Sequence, residues 1–183
     1  MKSSFKKGFT LIELLVVIAV IGILAAVILA SLNSARAKAR DVRRISDIRT
    51  IQTALEMHYA DNGRYPSSDS SCNTYTTVPN ASWCNSVQKN SSGRWLVNGA
   101  LSSYLPEDPV DPQPKSVADF GNVNGGTYFY FSPTAGGGGC GPGQYYLLTA
   151  GMEVASNAKA TFSYCNGTTY SSGGNYRVGN SVQ

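Results

Sequence analysis

The sequence predicts an α+β fold: a long N-terminal α-helix, membrane-spanning in its first half, packed on a small antiparallel β-sheet head. No proline occurs before Pro66, and apolar residues dominate from Phe9 to Leu32. Beyond Gly63 the chain becomes rich in Gly, Ser, Asn, Thr and Tyr, with short apolar runs of strand length. We therefore divide the chain into four segments: 1–8, 9–32, 33–62 and 63–183.

The positive charge of the chain is concentrated near its N-terminus. The formal net charge is +4, yet residues 50–183 hold six basic and eight acidic residues. Apolar residues make up 42% of the chain, which excludes an intrinsically disordered protein. The mean hydropathy of −0.15 excludes a membrane protein with many spans. Because the C-terminal part is slightly acidic, we expect no nucleic acid partner.

The stretch from Phe9 to Leu32 predicts a transmembrane helix. It contains one charged residue, Glu13. As a helix it measures about 36 Å, which is enough to cross a hydrocarbon core of about 30 Å. Lys2, Lys6 and Lys7 precede it and predict a cytoplasmic N-terminus. A secretory signal peptide fits poorly, because its apolar core is usually only about 7–15 residues long.

Glu13 is an unusual residue for a membrane span. A carboxylate at the bilayer centre costs on the order of 2.5–3.5 kcal/mol on insertion scales. One interpretation is that Glu13 reaches the interface or is protonated. The other is that its charge finds a partner on another molecule.

The stretch from Lys6 to Ile18, KKGFTLIELLVVI, resembles the leader and cleavage motif of type IV prepilins and pseudopilins. The resemblance implies that a membrane prepilin peptidase cuts between Gly8 and Phe9 and N-methylates Phe9. Residues 1–8 would then be a cytoplasmic leader peptide. Glu13 would become the fifth mature residue and, as in the family, neutralise the N-terminal amine of a neighbouring subunit.

The same resemblance implies a pilin-like fold and a structural function. The chain would polymerise through its N-terminal helix into a type II secretion pseudopilus or a type IV pilus. Its partners would be the prepilin peptidase, identical and related subunits, the membrane and an inner-membrane assembly platform. Before assembly the head would be extracytoplasmic, and afterwards it would coat a periplasmic or cell-surface filament. The alternative is a monomeric extracytoplasmic binding domain tethered by an uncleaved signal anchor.

Residues 33–62 predict an amphipathic continuation of the helix. Apolar residues recur there every three to four positions, at Val42, Ile45, Ile48, Ile51 (or Gln52), Leu55 and Tyr59. The opposite face carries Arg36, Arg40, Arg43, Arg44 and Asp47. This basic cluster is interpreted as a solvated face, or as a surface for lipid headgroups or for acids of neighbouring subunits. Asn62 and Gly63 predict the end of the helix.

The head is predicted to form a three- or four-stranded antiparallel sheet that packs on the helix. Tyr, Phe, Leu and Thr predict strands at Thr127–Phe131 and Gln144–Ala150 and a third near Ala160–Tyr164. A short helix from Gly99 to Leu105 would be capped by Asn98. Ala135–Gly143 holds six glycines and predicts a turn.

Two further features of the head concern metal ions and catalysis. Parts of it, such as Leu105–Pro109, are similar to major pseudopilins, some of which bind calcium in this region. The oxygen donors for such a site would be Asp108, Asp111 and Asp119; the alternative, which we favour, is ordinary acids in a proline-rich turn, with no cofactor. One histidine, scattered acids and common serines define no catalytic group, so we expect no enzyme.

Four cysteines, Cys72, Cys84, Cys140 and Cys165, all follow the membrane segment. None forms a CxxC pair, which disfavours a zinc site or thioredoxin chemistry. An even number of cysteines in an exported head favours disulfides over free buried thiols. Of three possible connectivities, we favour Cys72–Cys84 and Cys140–Cys165, because each is local.

Overall fold

The computed structural model describes residues 8–68, 83–87, 92–114, 126–159, 161–170 and 176–181. The chain divides into two compact units, Met1–Ala37 and Lys38–Gln183. A helix, α1, extends from Leu11 to Asn62 and so begins in the first unit and ends in the second. The predicted helix is therefore confirmed over nearly its whole length.

The end of α1 follows from its sequence. Gly63 adopts a φ of +67°, a left-handed conformation that glycine reaches at little steric cost. Its backbone N–H donates to the Tyr59 carbonyl at 2.7 Å and closes the last turn. The stop signal predicted at Asn62 and Gly63 is thus confirmed.

Within the second unit, α1 buries one face. Ile48, Ile51 and Leu55 are completely buried, as the spacing predicted, and Ile45 and Tyr59 pack at the edge of the same core. The prediction is wrong for Val42, which is 65% exposed. The corresponding turn of the helix buries Asp41 and Arg44 in its place.

The head contains a four-stranded antiparallel sheet. The strands of the head are β1 (Trp83–Asn85), β2 (Phe129–Phe131), β3 (Tyr145–Ala150), β4 (Phe162–Ser163), β5 (Thr169–Tyr170) and β6 (Tyr176–Ser181). The large sheet has the order β1-β2-β3-β6, and β4 pairs with β5 in a separate two-stranded sheet. The predicted β2 and β3 are confirmed. The third predicted strand exists as β4 but lies outside the large sheet.

The central strand β3 is buried on both of its faces. Tyr146, Leu148 and Ala150 join the core that α1 covers, together with Trp95 and Leu96 from the connecting region. The alternate residues, Tyr145 and Leu147, point into a second, smaller core with Phe162 and Cys140. Successive side chains of a strand point to opposite faces, so one strand supplies both cores.

The glycine-rich segment before β3 is closely packed against the β4–β5 hairpin. Gly138 has a φ of +57°, and a Cβ there would lie 2.4 Å from Cγ of Tyr164. The carbonyl of Gly138 accepts a hydrogen bond from Asn166 N–H at 3.0 Å. The predicted turn is confirmed, and its close contacts require glycine at this position.

The connecting region differs from its prediction. The helix predicted from Gly99 to Leu105, with Asn98 as its cap, is wrong. A 3₁₀ helix covers Val97–Gly99, and turns follow it. Ser102 N–H donates to the Gly99 carbonyl at 2.9 Å. Tyr104 N–H and Leu105 N–H both donate to the Leu101 carbonyl, at 3.0 and 2.8 Å, and these bonds close the turns. Burial of Leu101 and Leu105 in the main core accounts for the apolar pattern that suggested a helix.

Candidate functional site

The predicted processing site lies at the exposed start of the first unit. Gly8, Phe9 and Thr10 precede α1 and are exposed. Phe9 is 87% exposed. A side chain at Gly8 would meet no atom within 4 Å. The backbone between Gly8 and Phe9 is therefore unobstructed by the described part of the chain.

Thr10 and Glu13 form a capping box at the start of α1. The Thr10 backbone N–H donates to Glu13 Oε2 at 2.9 Å, and the Thr10 hydroxyl donates to the same oxygen at 2.8 Å. In return, Glu13 N–H donates to Thr10 Oγ1 at 3.3 Å. Two N–H groups that the helix leaves unpaired are satisfied in this way. Glu13 thus also caps its own helix, a local role that is independent of any other subunit.

The first half of α1 presents a bare apolar surface. Its large side chains from Leu11 to Leu29 are all exposed within the unit. Among the described residues, α1 is long and apolar enough to cross a membrane by its length and composition. An apolar surface of this extent marks a site of contact with lipid or with other apolar helices. The apolar side chains around Glu13 require an apolar environment. The Glu13 carboxylate would share that environment.

A second site is a buried ionic cluster in the other unit. Arg44 is completely buried and donates to Asp111 from Nε at 2.8 Å and from Nη2 at 2.9 Å. Its Nη1 donates to Asp41 Oδ1 at 2.9 Å and to Glu153 Oε1 at 2.6 Å. Burial alone would lower the pKa of Arg44, but the hydrogen bonds to Asp111 and Glu153 raise it. Arg44 therefore stays charged in the protein interior.

Glu153 receives a second guanidinium. Arg40 Nε donates to Glu153 Oε1 at 2.7 Å, and Arg40 Nη2 donates to the other carboxylate oxygen. The hydrogen bond from Arg40, assisted by that from Arg44, lowers the pKa of Glu153 to about 2 against the opposing effect of burial.

Asp41 holds the chain that follows Glu153. Its carboxylate accepts hydrogen bonds from Glu153 N–H at 3.0 Å, Val154 N–H at 2.9 Å and Asn157 Nδ2 at 3.1 Å. These bonds fix the turn that leads into a 3₁₀ helix at Ala155–Asn157. Burial raises the pKa of Asp41, but the hydrogen bonds from the two backbone N–H groups, Asn157 and Arg44 together outweigh it, so the pKa lies below its usual value.

The interpretation of the basic cluster as a solvated face is wrong for two of its members. Arg40 and Arg44 are bound to acids of their own chain. Arg43 Nε lies 3.9 Å from Asp47 Oδ2, one turn further along α1. Nothing in the sequence pattern alone indicated this cluster, because Asp111 and Glu153 are 67 and 109 residues away from Arg44.

Two of the acids predicted for calcium, Asp108 and Asp111, face N–H donors. Both oxygens of Asp111 accept from Arg44. Asp108 Oδ2 accepts from Trp95 N–H and Leu96 N–H, both at 2.8 Å, and its other oxygen lies 3.2 Å from Arg94 Nη1. Asp119 lies outside the described residues. Asp111 is therefore engaged by Arg44, whereas Asp108 Oδ1 is buried and accepts no hydrogen bond. The interpretation of these residues as ordinary acids of a turn, without calcium, stays a prediction.

One of the favoured disulfides is present. Cys140 and Cys165 are bonded and join the glycine-rich segment to the β4–β5 hairpin. Cys84 is also disulfide-bonded. Its predicted partner, Cys72, lies outside the described residues, so that pairing stays a prediction. No free cysteine occurs in the described part of the chain, which argues against the alternative of buried thiols.

Comparison with known proteins assigns the chain to a family. A family profile described as "Prokaryotic N-terminal methylation motif" matches residues 3–29, and one described as "Type II secretion system (T2SS), protein G" matches residues 31–113. No solved structure shows significant similarity to the chain.

Two relatives are both named type II secretion system core protein G. The protein from Aeromonas hydrophila is 32% identical over 126 residues, which are 68% of this chain and 82% of the relative. The protein from Pseudomonas aeruginosa is 33% identical over 156 residues, which are 85% of this chain and 92% of the relative. The capping box at the start of an apolar helix, the small antiparallel head and these matches agree: the chain belongs to the family of type II secretion system core protein G.

Proposed function

We propose that the chain is a structural subunit of a type II secretion pseudopilus. One observation carries the proposal. Glu13 lies among the exposed apolar side chains of α1, five residues after Gly8, the last residue of the predicted leader. An isolated carboxylate is costly in an apolar environment, so its presence there favours a partner that arrives on assembly. Family membership supports the same conclusion.

The precursor would sit in the membrane before assembly. Lys2, Lys6 and Lys7 keep the N-terminus in the cytoplasm, and the head lies on the other side. Prepilin peptidase would cut between Gly8 and Phe9 and methylate Phe9. Cleavage removes the three lysines, which resist extraction of the helix from the cytoplasmic face, and creates an amine at Phe9.

Assembly would bring that amine to the Glu13 carboxylate of a neighbouring subunit. In the separate chain, Glu13 Oε2 is satisfied by Thr10. A neighbouring amine adds the opposite charge that Thr10 does not supply. Such a pair sets the register between subunits more than it adds net stability, because both charges must be desolvated. The partners are identical and related subunits and an inner-membrane assembly platform.

The assembled filament would be periplasmic, with apolar helices in its core and heads outside. A nucleic acid ligand is not part of this function. Two of the arginines nearest the membrane segment, Arg40 and Arg44, are neutralised by acids of the same chain. The second unit therefore offers less free positive charge than the sequence suggests.

Mass spectrometry of the protein from cells that contain active prepilin peptidase tests the proposal. The expected N-terminus is methylated Phe9. An intact Met1 would instead support the alternative, a monomeric binding domain on an uncleaved signal anchor. A Gly8→Asp variant serves as a control, since it should retain the leader and fail to form filaments.

A further inference from the structure

Three carboxylates from separate parts of the second unit converge on one cation. Asp41 belongs to α1, Asp111 lies in the proline-rich turn, and Glu153 follows β3. All three lie within 2.6–2.9 Å of nitrogen atoms of Arg44. Arg40 adds a second guanidinium on Glu153.

The orientation of the donors indicates which cation belongs there. The planar guanidinium of Arg44 makes a bidentate pair with Asp111, and its third nitrogen serves both Asp41 and Glu153. This fork geometry is specific to arginine. Calcium requires six to eight oxygens at about 2.3–2.6 Å. The oxygens here are already directed at N–H groups.

The other oxygens of these carboxylates are also engaged. Asp41 Oδ2 binds Val154 N–H and Asn157, and Asp111 additionally accepts from Gln113 N–H at 2.8 Å. Gly126 N–H lies 3.3 Å from Asp111 Oδ2. The cluster is thus satisfied by the chain itself at each of these positions.

We propose that Arg44 is the resident cation of this acidic cluster and that it holds the Asp111 and Glu153 loops on α1 without a metal ion. The Arg44 cluster then needs no calcium ion to hold these loops. This inference concerns what holds each head together and does not rest on the proposed function. It stands even if the chain forms no filament.

The first experiment measures thermal unfolding of the full chain in detergent micelles, by near-ultraviolet circular dichroism. The midpoint Tm of the wild type and of Asp111→Asn is compared in millimolar calcium and in excess EGTA. The expected result is that any change of Tm on adding EGTA is the same in both proteins. A Tm that falls in EGTA in the wild type but not in Asp111→Asn would place calcium in the cluster and overturn the proposal.

The second experiment replaces the cation. Arg44→Met removes the charge but keeps a long side chain, and it leaves three buried carboxylates without their shared partner. We expect Tm to fall by roughly 10 °C. Arg49→Met is the matched control, because Arg49 is exposed on the same helix, and its Tm should stay close to that of the wild type. Equal effects of the two substitutions would contradict the proposal.

A rescue experiment separates a cation role from simple packing. Ethylguanidinium at low millimolar concentration should raise the Tm of Arg44→Ala and leave that of Arg49→Ala unchanged. If ethylguanidinium raises the Tm of Arg44→Ala no more than that of Arg49→Ala, the cluster is not a guanidinium site. Should Arg44→Ala not fold, Arg44→Lys replaces it: a point charge without the fork should give a Tm between wild type and Arg44→Met. A Tm of Arg44→Lys equal to that of Arg44→Met would also reject the cation role.

Discussion

Glu13 and Thr10 bind each other reciprocally at the first turn of α1, with Glu13 Oε2 accepting from both the backbone N–H and the hydroxyl of Thr10. The carboxylate therefore has a partner within its own chain before any neighbour arrives. Thr10 supplies no positive charge, however. Under the proposed function, the amine of a neighbouring subunit would supply this charge, and the capping box would hold Glu13 in place until then.

Glu13→Ala should leave peptidase cleavage largely intact but reduce filament assembly roughly tenfold or more. The reason is that the amine at Phe9 would then be buried without its counter-charge. Immunoblotting measures processing, and recovery of sheared filaments measures assembly. Glu107→Ala, at an exposed acid of the head, is the control. Normal filament yield from Glu13→Ala would show that assembly does not depend on a pair between Glu13 and the amine at Phe9.

Acid should destabilise the head through Glu153. Its pKa in the folded protein is about 2, below the ordinary value of 4.5. A depressed carboxyl pKa contributes stability above the ordinary value, and this contribution is lost as the pH falls from about 4.5 towards 2. Urea unfolding at neutral pH and at about pH 3 measures the difference. Glu153→Gln should reduce that difference, and Glu107→Gln should preserve it. An unchanged pH dependence in Glu153→Gln would show that other groups are responsible.

Removal of the Cys140–Cys165 disulfide should weaken the smaller core. The two residues are 25 positions apart. Closing a loop of that length constrains the unfolded chain by about 3 kcal/mol in the chain-entropy account. The double variant Cys140→Ala, Cys165→Ala should lose free energy of unfolding of this order, as measured by urea titration. A midpoint equal to that of the wild type would indicate that local packing alone holds the β4–β5 hairpin.

The buried stripe of α1 gives a matched pair of substitutions. Leu55→Ala opens a cavity at a completely buried position and should lower the free energy of unfolding by about 2–5 kcal/mol. Val42→Ala removes a side chain that is exposed in the second unit. It should change the free energy of unfolding by no more than about 0.5 kcal/mol. Both values come from denaturant unfolding of the full chain in micelles. A large effect at Val42 would mean that this residue has a partner in the isolated subunit.

The sequence predicted the parts of the fold that local patterns determine. The helix and strands β2 and β3 follow from periodicity and from β-branched or aromatic residues. Strand β6 was missed, because Gly179 and Asn180 have low strand propensity. The structure explains the glycine: a Cβ there would lie 2.3 Å from the Tyr146 carbonyl and 2.5 Å from the Phe162 ring. A close approach of this kind depends on the partners and has no local signal.

The ionic cluster could not be predicted for a similar reason. Arginine is almost never fully buried unless it is paired. Both long-range partners of Arg44 are distant in the sequence. Helical spacing placed Val42 on the apolar stripe, but the exposed fraction of its side chain shows that Asp41 and Arg44 occupy the buried face instead. Glu13, by contrast, stood out in the sequence, because a carboxylate in an apolar run is conspicuous without any structure.

The side chains of strand β3 are packed on both of its faces. Tyr146 and Leu148 fill one core while Tyr145 and Leu147 fill the other, so every one of these positions is constrained by neighbours on its own side. A one-residue insertion would exchange the two sets and misfit both cores at once. We expect insertions and deletions among related proteins to lie in the loops on either side of β3. The β3 segment should therefore align without gaps even in distant relatives.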